Sequence, residues 1–220
     1  MKRTNRWLLP YDLLLARHGP QHWWPGETPF EVMVGAVLTQ NTAWGNVEKA
    51  IANLKRADAL DCRTILAMAD ADLAELIRPA GYFNVKAKRL KALCRFLAER
   101  GVESAPEALA GQGTSAELRR DLLAVHGIGE ETADSILLYA LGLASFVVDA
   151  YTRRAFGRLG LLCGDEGYGA IQRLFERHVP CDTRLYNEYH ALIVRLGKEH
   201  CRPRPRCTDC PLNSLCPSAT

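Results

Sequence analysis

Apolar residues recur every three to four positions along most of this chain, the spacing of helices that bury one face. The pattern is clearest in residues 29–38 (PFEVMVGAVL) and 46–54 (NVEKAIANL). It returns at 72–77, 86–100, 115–125 and 131–141, and again at 152–159, 168–178 and 184–197. The segments are separated by ordinary stop signals: Pro79-Ala80-Gly81, Gly101, Gly111-Gln112-Gly113 and Gly127-Ile128-Gly129. Alternation with a period of two is scarce, and LASFVVDAY (143–151) is a short strand candidate. The patterning predicts an all-α protein.

A chain of 220 residues can hold one large domain or two small ones with a real core. Its 48% hydrophobic and 24% charged residues are ordinary for a globular protein. No run of about 18 uncharged apolar residues occurs, which excludes a membrane-spanning helix. The N-terminus, MKRTNRWLLPYDLLLARHG, is basic and then apolar, but Asp12 interrupts it and no small-residue cleavage site follows. The expected location is the cytoplasm, at the nucleoid in a prokaryote. The net charge is only +3, yet residues 145–220 carry 11 basic and 8 acidic side chains against 17 of each before them. The whole excess therefore lies in the last third, which suits either a solvated surface or a polyanion-binding one.

Cys62, Cys94, Cys163 and Cys181 are scattered, whereas Cys201, Cys207, Cys210 and Cys216 crowd one short stretch with the spacing C-x5-C-x2-C-x5-C. Without an export signal, thiols should stay reduced, so a metal explains this crowd better than disulfides do. Four thiolates suit a tetrahedral zinc or a cubane iron–sulfur cluster, and spacing alone does not choose. Arg202, Arg204 and Arg206 lie between the first two ligands, where a metal-pinned loop would hold them against a phosphate backbone.

The segment LLAVHGIGEETADSIL places Gly127 and Gly129 in a tight turn between two helices. Glycine lets the backbone come close, so amides at the next helix start can face a phosphate; a plain helix–helix turn has the same sequence. About twenty residues on, Asp149 in VVDAYTRRAFGRLG follows an apolar run, in a position that also suits a helix N-cap.

Taken in order, LTQNT around Gln40, AGYFNVKAKRL, the glycine hairpin, Val-Asp before an arginine-rich helix and the four terminal cysteines resemble the helix–hairpin–helix DNA glycosylases of the endonuclease III superfamily. The resemblance implies a six-helix domain over residues 21–143 and a cluster domain from 1–20 and 144–220. It further implies Asp149 as the catalytic acid, a [4Fe–4S] cluster on Cys201, Cys207, Cys210 and Cys216, and zinc as the alternative metal. Damaged double-stranded DNA is then the partner, and the protein a monomer. One departure is the first cysteine gap, five residues here against six in endonuclease III. Gln40 stands at the family's gap-filling position and Tyr82 where endonuclease III has a leucine wedge. In bifunctional members a lysine two residues after the second hairpin glycine attacks the sugar; here that residue is Glu131, which cannot form an imine.

The block HWWPGETPFEVMVGAVLTQNTAWGNVEKA and Glu131 are most similar to the 3-methyladenine-DNA glycosylase III branch. That likeness implies a base pocket of Trp23, Trp24, Trp44 and Glu131, and removal of alkylated purines. The chemistry is consistent: a cationic purine stacked on indole gains cation–π attraction of about 0.5–2 kcal/mol. Adenine-mismatch glycosylases usually have serine at the position of Glu131 and carry a further C-terminal domain, which is not expected here. The rivals are a glycosylase for oxidised pyrimidines or mismatched bases, and a DNA-binding protein without turnover. Lys86, Lys88, Arg89, Lys91 and Arg95 read as a solvated helix face rather than as extra phosphate contacts, the alternative for such a run.

Overall fold

The computed structural model describes residues 5–219, and among them there are helices, turns and loops but no strand. None of these helices is long and apolar enough to cross a membrane. The chain divides into two compact units, Pro25–Leu143 and Met1–Trp24 with Ala144–Thr220.

The central unit holds α2 (Pro29–Leu38), α3 (Trp44–Arg56), α4 (Cys62–Ala67), α5 (Asp70–Leu76), α6 (Phe83–Glu99), α7 (Ser115–Ala124) and α8 (Glu130–Ser135), which runs on as a π turn over Ile136–Ala140. Thr28 starts α2 by accepting from the Glu31 amide, and Pro29 supplies a φ already suited to the first turn. Phe30 and the stretch from Val32 to Leu38 are buried on every side, because α2 is the axis against which α3, α6, α8 and the π turn pack. Thr114 and Glu117 form a reciprocal capping box that starts α7. Arg119 of α7 then grips the fully buried Asp134 of α8 through two hydrogen bonds of 2.8 and 3.0 Å, which fixes the two helices as a hairpin.

The basic residues of α6 do not form a solvated face. Lys88 and Arg95 are exposed, but Lys86 and Lys91 are buried at 1% and 7% exposure, and Arg89 is half-buried. Lys91 points at the neighbouring helix start, where Asp70 accepts at 2.6 Å. Charge alone suggested solvent; the helical period instead turns these positions toward polar acceptors inside the unit.

The second unit combines α1 (Leu9–His18), α9 (Ala150–Arg158), α10 (Tyr168–His178) and α11 (Thr183–Glu199). Its core is aromatic: Phe146 stacks on Phe175 at 4.0 Å between centroids, Trp7 meets Phe175 edge-on at 5.1 Å, and Tyr189 donates to the Trp7 carbonyl at 2.6 Å. The candidate strand LASFVVDAY forms no ladder. Phe146, Val147 and Val148 are buried, and side chains satisfy the backbone there: Phe146 N–H donates to Glu176 and Val148 N–H to the Tyr168 hydroxyl.

The α9–α11 crossing depends on one missing side chain. The Tyr151 ring lies on the backbone of α11 at Gly197, where a Cβ would come within 2.2 Å of Tyr151 Cδ1. Gly197→Ala should therefore lower unfolding stability by about 1–3 kcal/mol through overpacking, measured by urea denaturation; a loss below about 0.5 kcal/mol would show that the ring moves aside freely.

Candidate functional site

The hairpin of the central unit is the first part of the site. Gly127 adopts φ +81°, and an added Cβ would sit 2.3 Å from Arg89 Cγ, so both backbone and packing demand glycine there. Gly129 is different: its backbone is extended, as an N-cap requires, and nothing lies within 4 Å of an added Cβ. The N-cap of α8 is Gly129, which has no side chain to accept from the first-turn amides. Glu130 and Glu131 follow on the exposed first turn; Arg119 lies 3.5 Å from Glu130.

Two further turns of this unit share the strained geometry. Asn41 has φ +52° in the loop after α2, and Gly81 and Tyr82 have φ +66° and +47° just before α6. Tyr82 is 71% exposed and Val85, one turn on, 46%, an apolar pair left in solvent. Gln40 is half-buried: its amide nitrogen donates to the Gly127 carbonyl at 3.0 Å and the Thr132 hydroxyl at 2.9 Å, and its oxygen accepts from Arg89. The glutamine thus ties its loop to the hairpin. Trp44, half-buried, is the first residue of α3. Lys86 donates to the carbonyls of Leu38 and Ala80 and to the Thr42 hydroxyl, and burial, then the nearby Arg89 charge, pull its ammonium down to about 8.

In the other unit, Asp149 does cap α9: one carboxylate oxygen accepts from the Thr152 amide at 2.7 Å and its hydroxyl at 2.9 Å. The second oxygen lies 3.5 Å from Nε2 of His190 on α11. Burial acts to raise the carboxyl, but the His190 charge and the hydrogen bonds from His190 and Thr152 together outweigh it, and the net shift is downward. Asp149 is therefore held as a buried carboxylate. Trp23 and Trp24 are half-buried and meet edge-on, with centroids 5.7 Å apart, and Lys198 Nζ lies 5.9 Å from the Trp23 ring centroid.

The four terminal cysteines line one cavity, with His200, Arg158 and Arg206 among its walls. Burial pushes the Cys210 thiol up, a hydrogen bond from the Leu212 backbone opposes it, and the sulfurs of Cys201, Cys207 and Cys216 push it further up. Four cysteines lining one cavity are a donor set that suits a metal centre. Arg154 and Arg158 of α9 anchor the loop: Arg154 donates to the Cys201 carbonyl at 2.6 Å, and Arg158 to the carbonyls of Arg202 and Pro203 at 2.6 and 3.0 Å and to Cys201 Sγ at 3.3 Å. Arg202, Arg204 and Arg206 are exposed, Arg202 donating to the Lys198 carbonyl at 2.6 Å.

Sequence patterning missed His190, Lys86 and Arg89, and it did not assign Arg154 and Arg158 to the cysteine loop. The two arginines left a signal, because they are one helical turn apart in a helix that carries three arginines and no acid beyond its Asp149 cap. His190 left none: its meeting with Asp149 joins residues 41 positions apart.

Residues 34–181 match the model of the HhH-GPD superfamily of base excision DNA repair proteins. A provisionally named DNA repair glycosylase of Methanocaldococcus jannaschii is 50% identical over 206 residues, covering 94% of this chain and 93% of that protein. Endonuclease III of Thermotoga maritima is 29% identical over 195 residues, covering 86% and 82%. Among solved structures, an endonuclease III–DNA complex superposes with a TM-score of 0.81 at 22% identity, covering 97% and 96%. The 3-methyladenine DNA glycosylase of H. pylori bound to 1,N6-ethenoadenine gives 0.74 at 32% identity, covering 89% and 98%. With its hairpin, its helix-capping aspartate and its four-cysteine loop, this all-α chain belongs to the HhH-GPD superfamily of base excision DNA repair proteins.

Proposed function

We propose that this protein is a monofunctional DNA glycosylase that releases alkylated purines such as 3-methyladenine from duplex DNA and leaves an abasic site. The observation that carries this reading is Glu131: an exposed carboxylate on the first turn of α8, at the position where bifunctional members carry their lysine. A carboxylate there attracts a cationic base and cannot form an imine with the sugar. The 32% identity to a glycosylase holding an alkylated adenine supports the substrate class.

Each part has a role within this reading. Amides at Gly127 and Gly129 grip a phosphate, and Arg202, Arg204 and Arg206 add sequence-independent attraction. Tyr82, with Val85 beside it, wedges into the stack as the damaged nucleotide leaves. Gln40 fills the gap by exchanging its bonds to Gly127 and Thr132 for the edge of the orphaned base. Trp23, Trp24 and Trp44 receive the cationic ring. The Asp149 carboxylate stabilises charge developing at C1′ or orients the attacking water, with Thr152 and His190 keeping it ionised. Cys201, Cys207, Cys210 and Cys216 would hold a [4Fe–4S] cluster, with zinc the alternative metal. That group, when bound, supplies a covalent staple for the arginine loop. The protein acts as a monomer in this reading.

Single-turnover incubation with methylated duplex DNA should release 3-methyladenine, with strand breaks appearing only after alkali. Breaks without alkali, together with borohydride trapping, would mean that an amine does the work of the lysine. Release of oxidised pyrimidines alone would shift the substrate class, and no release from any lesion would leave a DNA-binding protein.

Asp149→Asn keeps a capping side chain but removes the negative charge, so base release should fall by about 100-fold or more with DNA binding retained. The folded carboxyl lies below its unfolded value, so its contribution to stability is complete above the ordinary aspartate value of about 3.9 and disappears as pH falls through the lower folded value. The wild-type release rate should accordingly show no loss from Asp149 protonation between pH 7 and about 4.5; a drop near pH 6 that Asp149→Asn abolishes would contradict this assignment.

A further inference from the structure

Lys86 is an unusual burial. It is 1% exposed, yet the bonds of its ammonium are to three neutral oxygens: the Leu38 carbonyl at 2.9 Å, the Thr42 hydroxyl at 2.7 Å and the Ala80 carbonyl at 2.7 Å. Three N–H groups meet three acceptors, which saturates a lysine. Burial without a carboxylate disfavours the charge, as the lowering toward about 8 indicates, so a leucine or methionine would fill the same volume without that penalty. What an apolar residue cannot do is bind three separate oxygens at one point.

The location of those oxygens matters. Leu38 ends α2 and its carbonyl is among the four that a helix leaves without an internal partner. Thr42 closes the loop that carries Gln40 and Asn41, and its hydroxyl also donates to the Ala80 carbonyl. Ala80 closes the turn that leads into Gly81 and Tyr82. Both segments have left-handed residues, Asn41 in one and Gly81 and Tyr82 in the other; asparagine and glycine accept that region readily, whereas Tyr82 is held there against its local preference. The ammonium, together with the Thr42–Ala80 hydrogen bond beside it, therefore holds the distance between the glutamine loop and the tyrosine turn.

We infer that Lys86 is a positioning residue for nucleotide extrusion, holding the Gln40 loop and the Tyr82 turn at the spacing at which both can enter one opened base step. The inference rests on the glycosylase reading above. Lys86 touches neither substrate nor reacting atoms; it acts through the two segments that do the displacing.

The test compares two lesion substrates with the full-length protein. In one, 3-methyladenine is paired within a duplex and must be extruded; in the other it already lies in an unpaired bulge. Lys86→Met should slow single-turnover release from the paired duplex by about 30-fold or more, and from the bulge by no more than about 3-fold. Thr42→Val keeps the shape but deletes both one acceptor of Lys86 and the bond to the Ala80 carbonyl, and should give the same split at about 5-fold. 2-Aminopurine placed beside the paired lesion should lose its extrusion fluorescence in both variants. Equal losses on both substrates would make Lys86 a purely structural residue and overturn the inference. So would unchanged rates on the paired duplex. If Lys86→Met does not fold, as thermal melting would show, Thr42→Val decides alone. Absence of release by the wild type would instead remove the glycosylase reading, a result separable from any of these.

Discussion

Backbone carbonyls left without partners at helix ends and in strained turns are the constraint on which this molecule rests, and buried or half-buried cations satisfy them. Lys86 collects the end of α2, the following loop and the turn before α6. Arg89, one turn further along α6, lies under Gly127 and reaches Gln40. Arg154 and Arg158 perform the same task in the other unit, binding three carbonyls of the cysteine loop to α9. A hydrogen bond to a charged donor contributes about 1.5–3 kcal/mol, more than a neutral one. Long side chains with several donors let a rigid helix define the shape of loops that have no regular structure of their own.

The second constraint is electrostatic and centres on Asp149. As an N-cap it starts α9 through one oxygen, and the same hydrogen bonds that stabilise the helix also favour its ionised form. Burial works against the charge, and His190 from α11 offsets it. The cap thus fixes the rotamer through one oxygen and leaves the other facing His190. Gly197 preserves the arrangement from below, since any larger residue would push Tyr151, and with it α9, away from α11.

Much of this was legible before any coordinates. Helical period located α2, α10 and α11 within a residue or two, because α10 and α11 each have one apolar face, α2 is apolar nearly throughout, and each has an ordinary start or stop signal. The glycine hairpin and the cysteine loop were legible as motifs, since tight turns and metal sites need particular residue types at fixed spacing. Patterning left α1 and α4 unassigned and suggested a strand at 143–151. The short α4 has too few turns to establish a period. The apparent strand is buried coil whose amides bond to Glu176 and Tyr168, partners far away in sequence. The basic residues of α6 misled for a related reason: charge predicts solvent unless a polar interior is known to be waiting.

The sequence by itself determined the helical class, the glycine hairpin with two glutamates after it, and the cysteine loop, because each is written in local periodicity or short-range spacing. The tertiary structure alone decided that Asp149 meets His190, that Gly127 must be glycine because Arg89 lies beneath it, and that Lys86 faces inward to join two turns. These contacts join residues 38 to 48 positions apart or belong to a helix whose buried face depends on its neighbours. No local rule encodes them; only the packing of helices brings the partners within hydrogen-bonding reach.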